Sequence, residues 1–87
     1  MWFVYVLQCA DDSLYIGETG DINARLLQHP DGHASTFTAR RRPVALAYVE
    51  TCPGREEALV HERQLKRWTR AKKEALIAGD FELLKRL

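Results

Sequence analysis

The sequence is short of cysteine and of long apolar runs, and each shortage excludes a class of protein. Its two cysteines, Cys9 and Cys52, are too few for a disulfide framework and lack the spacing of a zinc site. The longest apolar run, residues 2–7, is too short to cross a bilayer, and no basic segment precedes it as in a signal peptide. We therefore expect free thiols, a reducing cytoplasm and no membrane partner.

Internal repeats, linkers and low-complexity segments are also missing, so residues 1–87 are expected to form a single domain with one modest core. The net charge of only +1 hides an uneven distribution. Residues 1–31 carry five acidic side chains and one basic one, whereas the remainder carries seven acidic and twelve basic ones. The basic clusters at 40–42 and 63–73 suit a phosphate backbone, but on charge alone solvated helix faces explain them equally well.

Three strands are predicted. Residues 2–9 are β-branched and aromatic and apolar on both alternating faces, which is typical of a central strand. Turn residues follow at 10–13, and residues 14–17 return as an antiparallel strand. Residues 44–51 form the third strand, with Val44, Leu46 and Tyr48 expected on one side and Ala45, Ala47 and Val49 on the other.

Helix signals occupy most of the remaining sequence. A cap at 19–21 opens a helix that Pro30 ends, and residues 55–68 form the longest helix. Thr69 caps a helix at 70–78 that ends at Gly79, and Asp80 begins a final turn or two. The polar stretch between Pro30 and Pro43 is a loop of functional length. The fold class is therefore α/β of the α+β type, a three-stranded antiparallel sheet flanked by about three to four helices.

Polar side chains lie on the apolar stripes of two helices. On a helical wheel Arg25 and His29 share the inward stripe of the first helix. Glu62 falls between Ala58 and Leu65 on the inward stripe of the longest helix. Burying such charges is costly unless partners meet them.

Together with two strand tyrosines, these side chains offer the groups that phosphodiester hydrolysis needs: a base, positive charge, and a carboxylate for a metal ion. A single Glu suits magnesium, which keeps several waters. The candidate groups are Tyr5, Tyr15, Arg25, His29 and Glu62. Each also has an ordinary explanation: the tyrosines pack, Arg25 and Glu62 form an ion pair, and His29 caps a helix. His33 and His61 are assigned no function.

The order and spacing of these residues are more specific than their types. Tyr5, then Tyr15-Ile16-Gly17, Arg25, His29 and the distant Glu62 resemble the GIY-YIG nuclease superfamily, and most closely its small stand-alone, single-domain branch. The resemblance covers essentially the whole chain. Segments that carry it are Leu7-Gln8-Cys9, Ser13-Leu14-Tyr15-Ile16-Gly17, Arg40-Arg41-Arg42-Pro43-Val44 and Glu57-Ala58-Leu59 through Glu62 to Lys66-Arg67-Trp68.

The resemblance implies a sheet described as a meander and a role for each matching residue. Tyr5 would act as general base with His29 assisting, and Tyr15 would position phosphate or water. Arg25 would steady the phosphate, and Glu62 would hold one Mg²⁺ or Mn²⁺ ion. Gly17 lets a group approach closely. Contacts to nucleic acid are expected from Arg40, Arg41, Arg42, Lys66 and Arg67.

Four features depart from the superfamily's pattern. The opening triplet is Phe3-Val4-Tyr5, Glu18 stands where many members carry a Lys, and Phe37 stands where this branch often has a Tyr. A late Asn has no counterpart, because Asn23 is the only asparagine.

The function predicted from the resemblance is metal-dependent cleavage of phosphodiesters, in DNA ahead of RNA. We expect it to depend on DNA structure or on a protein partner, and to serve repair or processing. Two alternatives stay open: a nucleic-acid-binding module of the same fold without turnover, and a protein scaffold that uses the surfaces of Trp2, Trp68 and Phe81.

Overall fold

The computed structural model describes residues 1–28 and 42–87, and residues 27 and 28 by their backbone alone. The expectations for the loop between Pro30 and Pro43 lie outside the described residues, as do those for His29, His33, Phe37, Arg40 and Arg41.

The described residues contain a three-stranded antiparallel sheet, as predicted. Its strands are β1 (Trp2–Cys9), β2 (Leu14–Thr19) and β3 (Val44–Cys52), and their order is β2-β1-β3. The central position of β1 is confirmed, because four successive residues, Val4 to Leu7, are at most 1% exposed. The meander order is wrong, because β3 pairs with β1 and not with β2.

A tight turn fixes the register of β1 against β2. The Asp11 carboxylate accepts a hydrogen bond from the Ser13 amide at 3.0 Å, and Asp12 adopts a left-handed φ of 66° that a short polar side chain tolerates. The Asp12 amide donates to the Cys9 carbonyl at 2.9 Å. This turn sets Tyr5 directly opposite Gly17.

The predicted alternation of β3 is interrupted by a bulge. Tyr48 lies opposite Val6, whereas Leu46 lies opposite Leu7, so Ala47 is an extra residue between them. A bulge places the residues before and after it on different faces. Leu46 and Tyr48 therefore do not share a side of the sheet, contrary to the expected pattern.

Four helices lie within the described ranges, close to their predicted positions. They are α1 (Ile22–Gln28), α2 (Arg55–Arg67), α3 (Arg70–Ala78) and α4 (Phe81–Arg86). The predicted caps are confirmed: Asp21, Thr69 and Asp80 each accept a hydrogen bond from a first-turn amide at 3.1–3.3 Å. Gly79 ends α3 with a φ of 71°. None of the described helices is both long and apolar enough to span a membrane.

Helix α2 docks on one face of the sheet through its smallest apolar residue. Ala58 is fully buried and Leu65 nearly so, and both pack in one cluster with Val4, Val6 and Ile16. An alanine at the contact lets the helix backbone approach the strands closely. On the helical wheel Glu62 lies about 40° to one side of Ala58 and His61 about 60° to the other. The two polar residues therefore leave α2 on opposite flanks of the docked stripe.

This docking predicts that Ala58→Leu is destabilising. The added carbons have no space at a site with 0% exposure, so the free energy of unfolding should fall by about 1–3 kcal/mol in urea denaturation. Val60→Leu is the matched control, since Val60 lies on the same helix and is 58% exposed. It should change stability by less than about 0.5 kcal/mol. Equal effects of the two substitutions would contradict the docking.

Candidate active site

Tyr5 lies over Gly17 on the neighbouring strand. Its side chain is fully buried, and a Cβ atom placed on Gly17 would be only 2.5 Å from the Tyr5 hydroxyl oxygen. Real Cβ atoms do not approach another heavy atom so closely, so only glycine fits at this position. The close approach expected at Gly17 is therefore present, and the group that makes it is Tyr5.

Tyr15 occupies the same face as Tyr5. It lies opposite Leu7, two residues along β1 from Tyr5, and alternate strand residues share a face. The two ring centroids are 6.4 Å apart with a tilt of 36° between planes. The two tyrosines thus form a diagonal aromatic pair on the sheet face opposite Val4 and Val6.

Arg25 and Glu62 both act electrostatically on Tyr5. Burial, and next the neighbouring Tyr15, raise the pKa of Tyr5 well above the ordinary tyrosine value of about 10. The Arg25 guanidinium opposes this shift, whereas the Glu62 carboxylate adds to it. At neutral pH Tyr5 is therefore a neutral phenol, on which one cation and one anion from two helices act electrostatically.

The cation paired with Glu62 is Lys66. Lys66 Nζ lies 2.9 Å from Glu62 Oε1 within α2, and the Glu62 side chain is only 16% exposed. Within the described ranges, Glu62 therefore does not form the structural ion pair with Arg25 that was the alternative explanation. Lys66, which is expected to contact nucleic acid, thus lies against the proposed metal ligand.

Glu62 fits the divalent cation that the resemblance implies. One largely buried carboxylate is the kind of ligand that Mg²⁺ takes when waters and substrate phosphate complete its shell. Lys66, whose side chain is 54% exposed, can leave Glu62 for solvent when a metal replaces it. The hard oxygen of Glu62 also suits Mn²⁺.

Of the residues expected at nucleic acid, the structure describes Arg42, Lys66 and Arg67. Arg42 is exposed just before β3, and Lys66 is at Glu62. Arg67 lies on the side of α2 away from the sheet, where it lines a groove of about 530 Å³ with Arg63 and Trp68 among others. The helix thus presents a second cationic surface that the sequence analysis noted only as a cluster.

Glu18, which departs from the superfamily's pattern, has a hydrogen-bond partner on the sheet face opposite Tyr5 and Tyr15. Its carboxylate accepts a hydrogen bond from the Trp2 indole nitrogen. Glu18 lies opposite Val4, and hence on the face covered by α2. The acid therefore serves the packing of Trp2 and does not occupy the face of Tyr5 and Tyr15.

A cluster that sequence reasoning missed lies beside β3. Donor atoms of Glu50, Cys52 and His61 all lie within 4.8 Å of one another, which makes a possible metal site. Burial, and next the carboxylates of Glu50 and Glu57, raise the pKa of the Cys52 thiol. The signal available in the sequence was the alternation Glu50-x-Cys52 on a strand followed by a His on the next helix. The spacing of the two cysteines by itself does not reveal this cluster, because its other two donors are a Glu and a His.

The contact between Tyr5 and Gly17 predicts the effect of Gly17→Ala. The new methyl group meets the Tyr5 ring, so the free energy of unfolding should fall by about 1–3 kcal/mol. Gly54→Ala is the control, because a Cβ there meets only the flexible end of Glu57 at 3.1 Å, and its cost should stay below about 1 kcal/mol.

A double-mutant cycle identifies the cause of that cost. In a Tyr5→Leu background the ring is gone, and Gly17→Ala should lose most of its effect on the urea midpoint. An undiminished cost in that background would show that the contact with Tyr5 is not responsible.

The buried tyrosines predict a loss of stability at alkaline pH. Burial raises the pKa of Tyr5, and burial with the Glu50 hydrogen bond raises that of Tyr48 to about 12. Above pH 10 the unfolded chain loses both protons while the folded chain keeps them, so stability is complete below about pH 10 and falls as pH rises. Each tyrosine contributes a slope of up to about 1.4 kcal/mol per pH unit.

Urea denaturation of Tyr5→Phe at pH 8 and pH 11 measures this contribution. The variant should lose less stability between the two pH values than the wild type does. Phe3→Leu, on the same strand but without an ionisable hydroxyl, should lose as much as the wild type. If Tyr5→Phe followed Phe3→Leu, the burial of a neutral Tyr5 would be wrong.

Comparison with known proteins places this arrangement in a family. Residues 1–75 match the family described as the GIY-YIG catalytic domain. UPF0213 protein SERP0126 of Staphylococcus epidermidis is 44% identical over 75 residues, which cover 86% of this chain and 92% of that protein. A UPF0213 protein of Bacillus pumilus is 45% identical over 75 residues, covering 86% and 76%.

A solved structure agrees with the sequence relatives. The solution NMR structure of UPF0213 protein BH0048 from Bacillus halodurans matches with a TM-score of 0.59 and 35% identity, over 100% of this chain and 97% of that one. The UPF0213 names carry no activity, whereas the matched domain is catalytic and defines a nuclease family. The chain therefore belongs to the GIY-YIG family of nucleases, as the order of Tyr5, Tyr15, Arg25 and Glu62 predicted.

Proposed function

We propose that this protein is a divalent-metal-dependent endonuclease that hydrolyses phosphodiester bonds in DNA. The observation that carries the proposal is the surrounding of Tyr5: a buried hydroxyl over Gly17, with Tyr15 beside it and the charges of Arg25 and Glu62 acting on it. The electrostatic coupling of a proton-transfer group with a cation and a carboxylate supports one site that holds a base, a phosphate-binding group and a metal ligand.

In this proposal the side chains divide the work of an in-line attack by water on phosphorus. Arg25 binds the phosphate and offsets the charge that develops on its oxygens, and Tyr15 orients phosphate or water. A divalent cation held by Glu62 would supply positive charge at the phosphate and the leaving oxygen. The new bond joins the water oxygen to phosphorus, the bond to the leaving oxygen breaks, and one water proton leaves toward Tyr5.

The raised pKa of Tyr5 limits how Tyr5 takes that proton. A neutral phenol becomes a base only when its own proton moves on or its pKa is lowered. Arg25 is the described side chain that lowers it. His29, four residues after Arg25 in the sequence, is the proposed acceptor of the phenolic proton. Tyr5 and His29 therefore act in series, and neither is an independent base.

The substrate we propose is branched or otherwise distorted DNA, in repair or processing. The exposed cations Arg42, Arg63 and Arg67 suit phosphates, which position a nucleic acid without reading its sequence. A protein partner that directs cleavage is consistent with this lack of base readout. Both cysteines are free thiols, which supports our placement of the protein in the reducing cytoplasm.

A cleavage panel of flap, junction, single-stranded and duplex substrates, in DNA and in RNA, tests the proposal with Mg²⁺ or Mn²⁺. Glu62→Gln should lower the cleavage rate about 100-fold or more while binding is retained, because the metal ligand is lost and the side-chain shape is kept. Arg25→Ala should also lower the cleavage rate strongly, because the positive charge that stabilises the phosphate is lost.

Glu74→Gln is the matched control. Like Glu62 it pairs with a basic residue one helical turn away, Arg70 at 2.8 Å, but it lies on α3 and is 58% exposed. Its cleavage rate should equal that of the wild type. The nuclease proposal fails if the wild type binds these substrates and cleaves none of them, an outcome that would favour a binding module without turnover.

A further inference from the structure

Three side chains with different donor atoms meet beside β3, away from Tyr5. Glu50 and Cys52 are two residues apart on β3 and lie opposite Val4 and Trp2, on the face covered by α2. His61 reaches them from the flank of α2 opposite Glu62, and its Nδ1 lies 2.8 Å from Glu50 Oε1. The sheet and the helix thus contribute to one cluster.

The cluster is closed on one side and open on the other. Cys52 is buried at 5% exposure, the Glu50 side chain is 29% exposed, and that of His61 is 48% exposed. The imidazole is therefore accessible from solvent, whereas the core holds the thiol in place. This gradient of exposure distinguishes the cluster from a solvated surface ion pair.

The set of donors points to the kind of ligand. A thiolate, an imidazole and a carboxylate are together the ligands of zinc-class transition metals, whereas Mg²⁺ and Ca²⁺ take oxygen alone. In a tetrahedral zinc shell, two ligand atoms lie about 3.3–3.7 Å apart. The three donor atoms here all lie within 4.8 Å of one another, about 1 Å from that spacing.

A further group orients the carboxylate. The Tyr48 hydroxyl donates a hydrogen bond to Glu50 Oε2 at 3.0 Å, while the other oxygen, Oε1, faces His61. A ligating carboxylate that is fixed in this way by an outer hydrogen bond is a common feature of metal sites. Tyr48 and Glu50 share a face by ordinary strand alternation, since they lie opposite Val6 and Val4.

We propose that Glu50, Cys52 and His61 bind one zinc-class ion, with a fourth coordination position left to water. The site is separate from Glu62, which leaves the opposite flank of α2, and the proposal does not depend on nuclease activity. The simpler alternative is an ion pair between Glu50 and His61, held by Tyr48. That alternative gives Cys52 no role, which is where an experiment can separate the two.

Titration of the full-length protein with Co²⁺, a spectroscopic substitute for zinc, tests the site. One equivalent should produce the charge-transfer absorption of a thiolate ligand together with tetrahedral d–d bands, and one equivalent of Zn²⁺ should abolish both. Cys52→Ser should remove the charge-transfer band. Cys9→Ser is the matched control, since Cys9 is the other buried free thiol and ends β1, and it should leave the spectrum unchanged.

Variants of the other groups complete the test. His61→Ala, at an exposed position, should keep the fold and weaken Co²⁺ binding more than tenfold, and Tyr48→Phe should weaken it about tenfold. Glu62→Gln should leave it unchanged, which separates this site from the proposed magnesium site. Should Cys52→Ser fail to fold, His61→Ala decides.

Three results would overturn the proposal: a wild type without a thiolate band, a band that survives Cys52→Ser, or affinity that His61→Ala leaves intact. The first of these would leave the nuclease proposal untouched, since cleavage with Mg²⁺ is measured separately.

Discussion

The docking of α2 on the sheet through Ala58 and Leu65 is the contact on which the rest of the molecule depends. It buries Val4 and Val6, and it fixes the height of the helix above the strands. From that position Glu62 and His61 project on opposite flanks, about 100° apart on the helix. One apolar contact therefore sets the helix from which the Glu62 carboxylate acts electrostatically on Tyr5 and from which the His61 imidazole lies near Cys52.

The central strand separates packing from chemistry by simple alternation. Even-numbered residues such as Val4 and Val6 face α2, whereas Tyr5 faces Gly17 and Tyr15 on the other side. A strand whose two faces are both buried has to be largely apolar, and a tyrosine meets that demand because its ring packs as an apolar group while it carries one hydroxyl. A tyrosine in the central strand therefore supplies a polar group to the site with little loss of buried apolar surface.

Much of this arrangement is legible in the sequence, and the limits have physical causes. Strands, helices and caps follow local rules, so their bounds were predicted to within about two residues. The partial burial of Arg25 and Glu62 agrees with the helical period of the sequence. The β3 bulge and the strand order were not predicted, because they depend on which elements pack together, whereas the pair of Glu62 with Lys66 is a contact within one helix that helical spacing could have shown. Cys52 and His61 meet only through that packing, and sequence spacing alone does not show it.

The proposed active site combines a local hairpin with a helix that is distant in the sequence, so its parts come together at different stages of folding. Tyr5, Tyr15 and Gly17 come together through one short turn, a contact of low sequence separation, whereas Glu62 arrives only when α2 closes over the sheet. A partly opened molecule in which α2 has left the sheet keeps its tyrosines in register, but Glu62 is no longer in place. In the proposed enzyme, hydrolysis is therefore confined to fully folded molecules, and chains still emerging or unravelling carry no cutting activity.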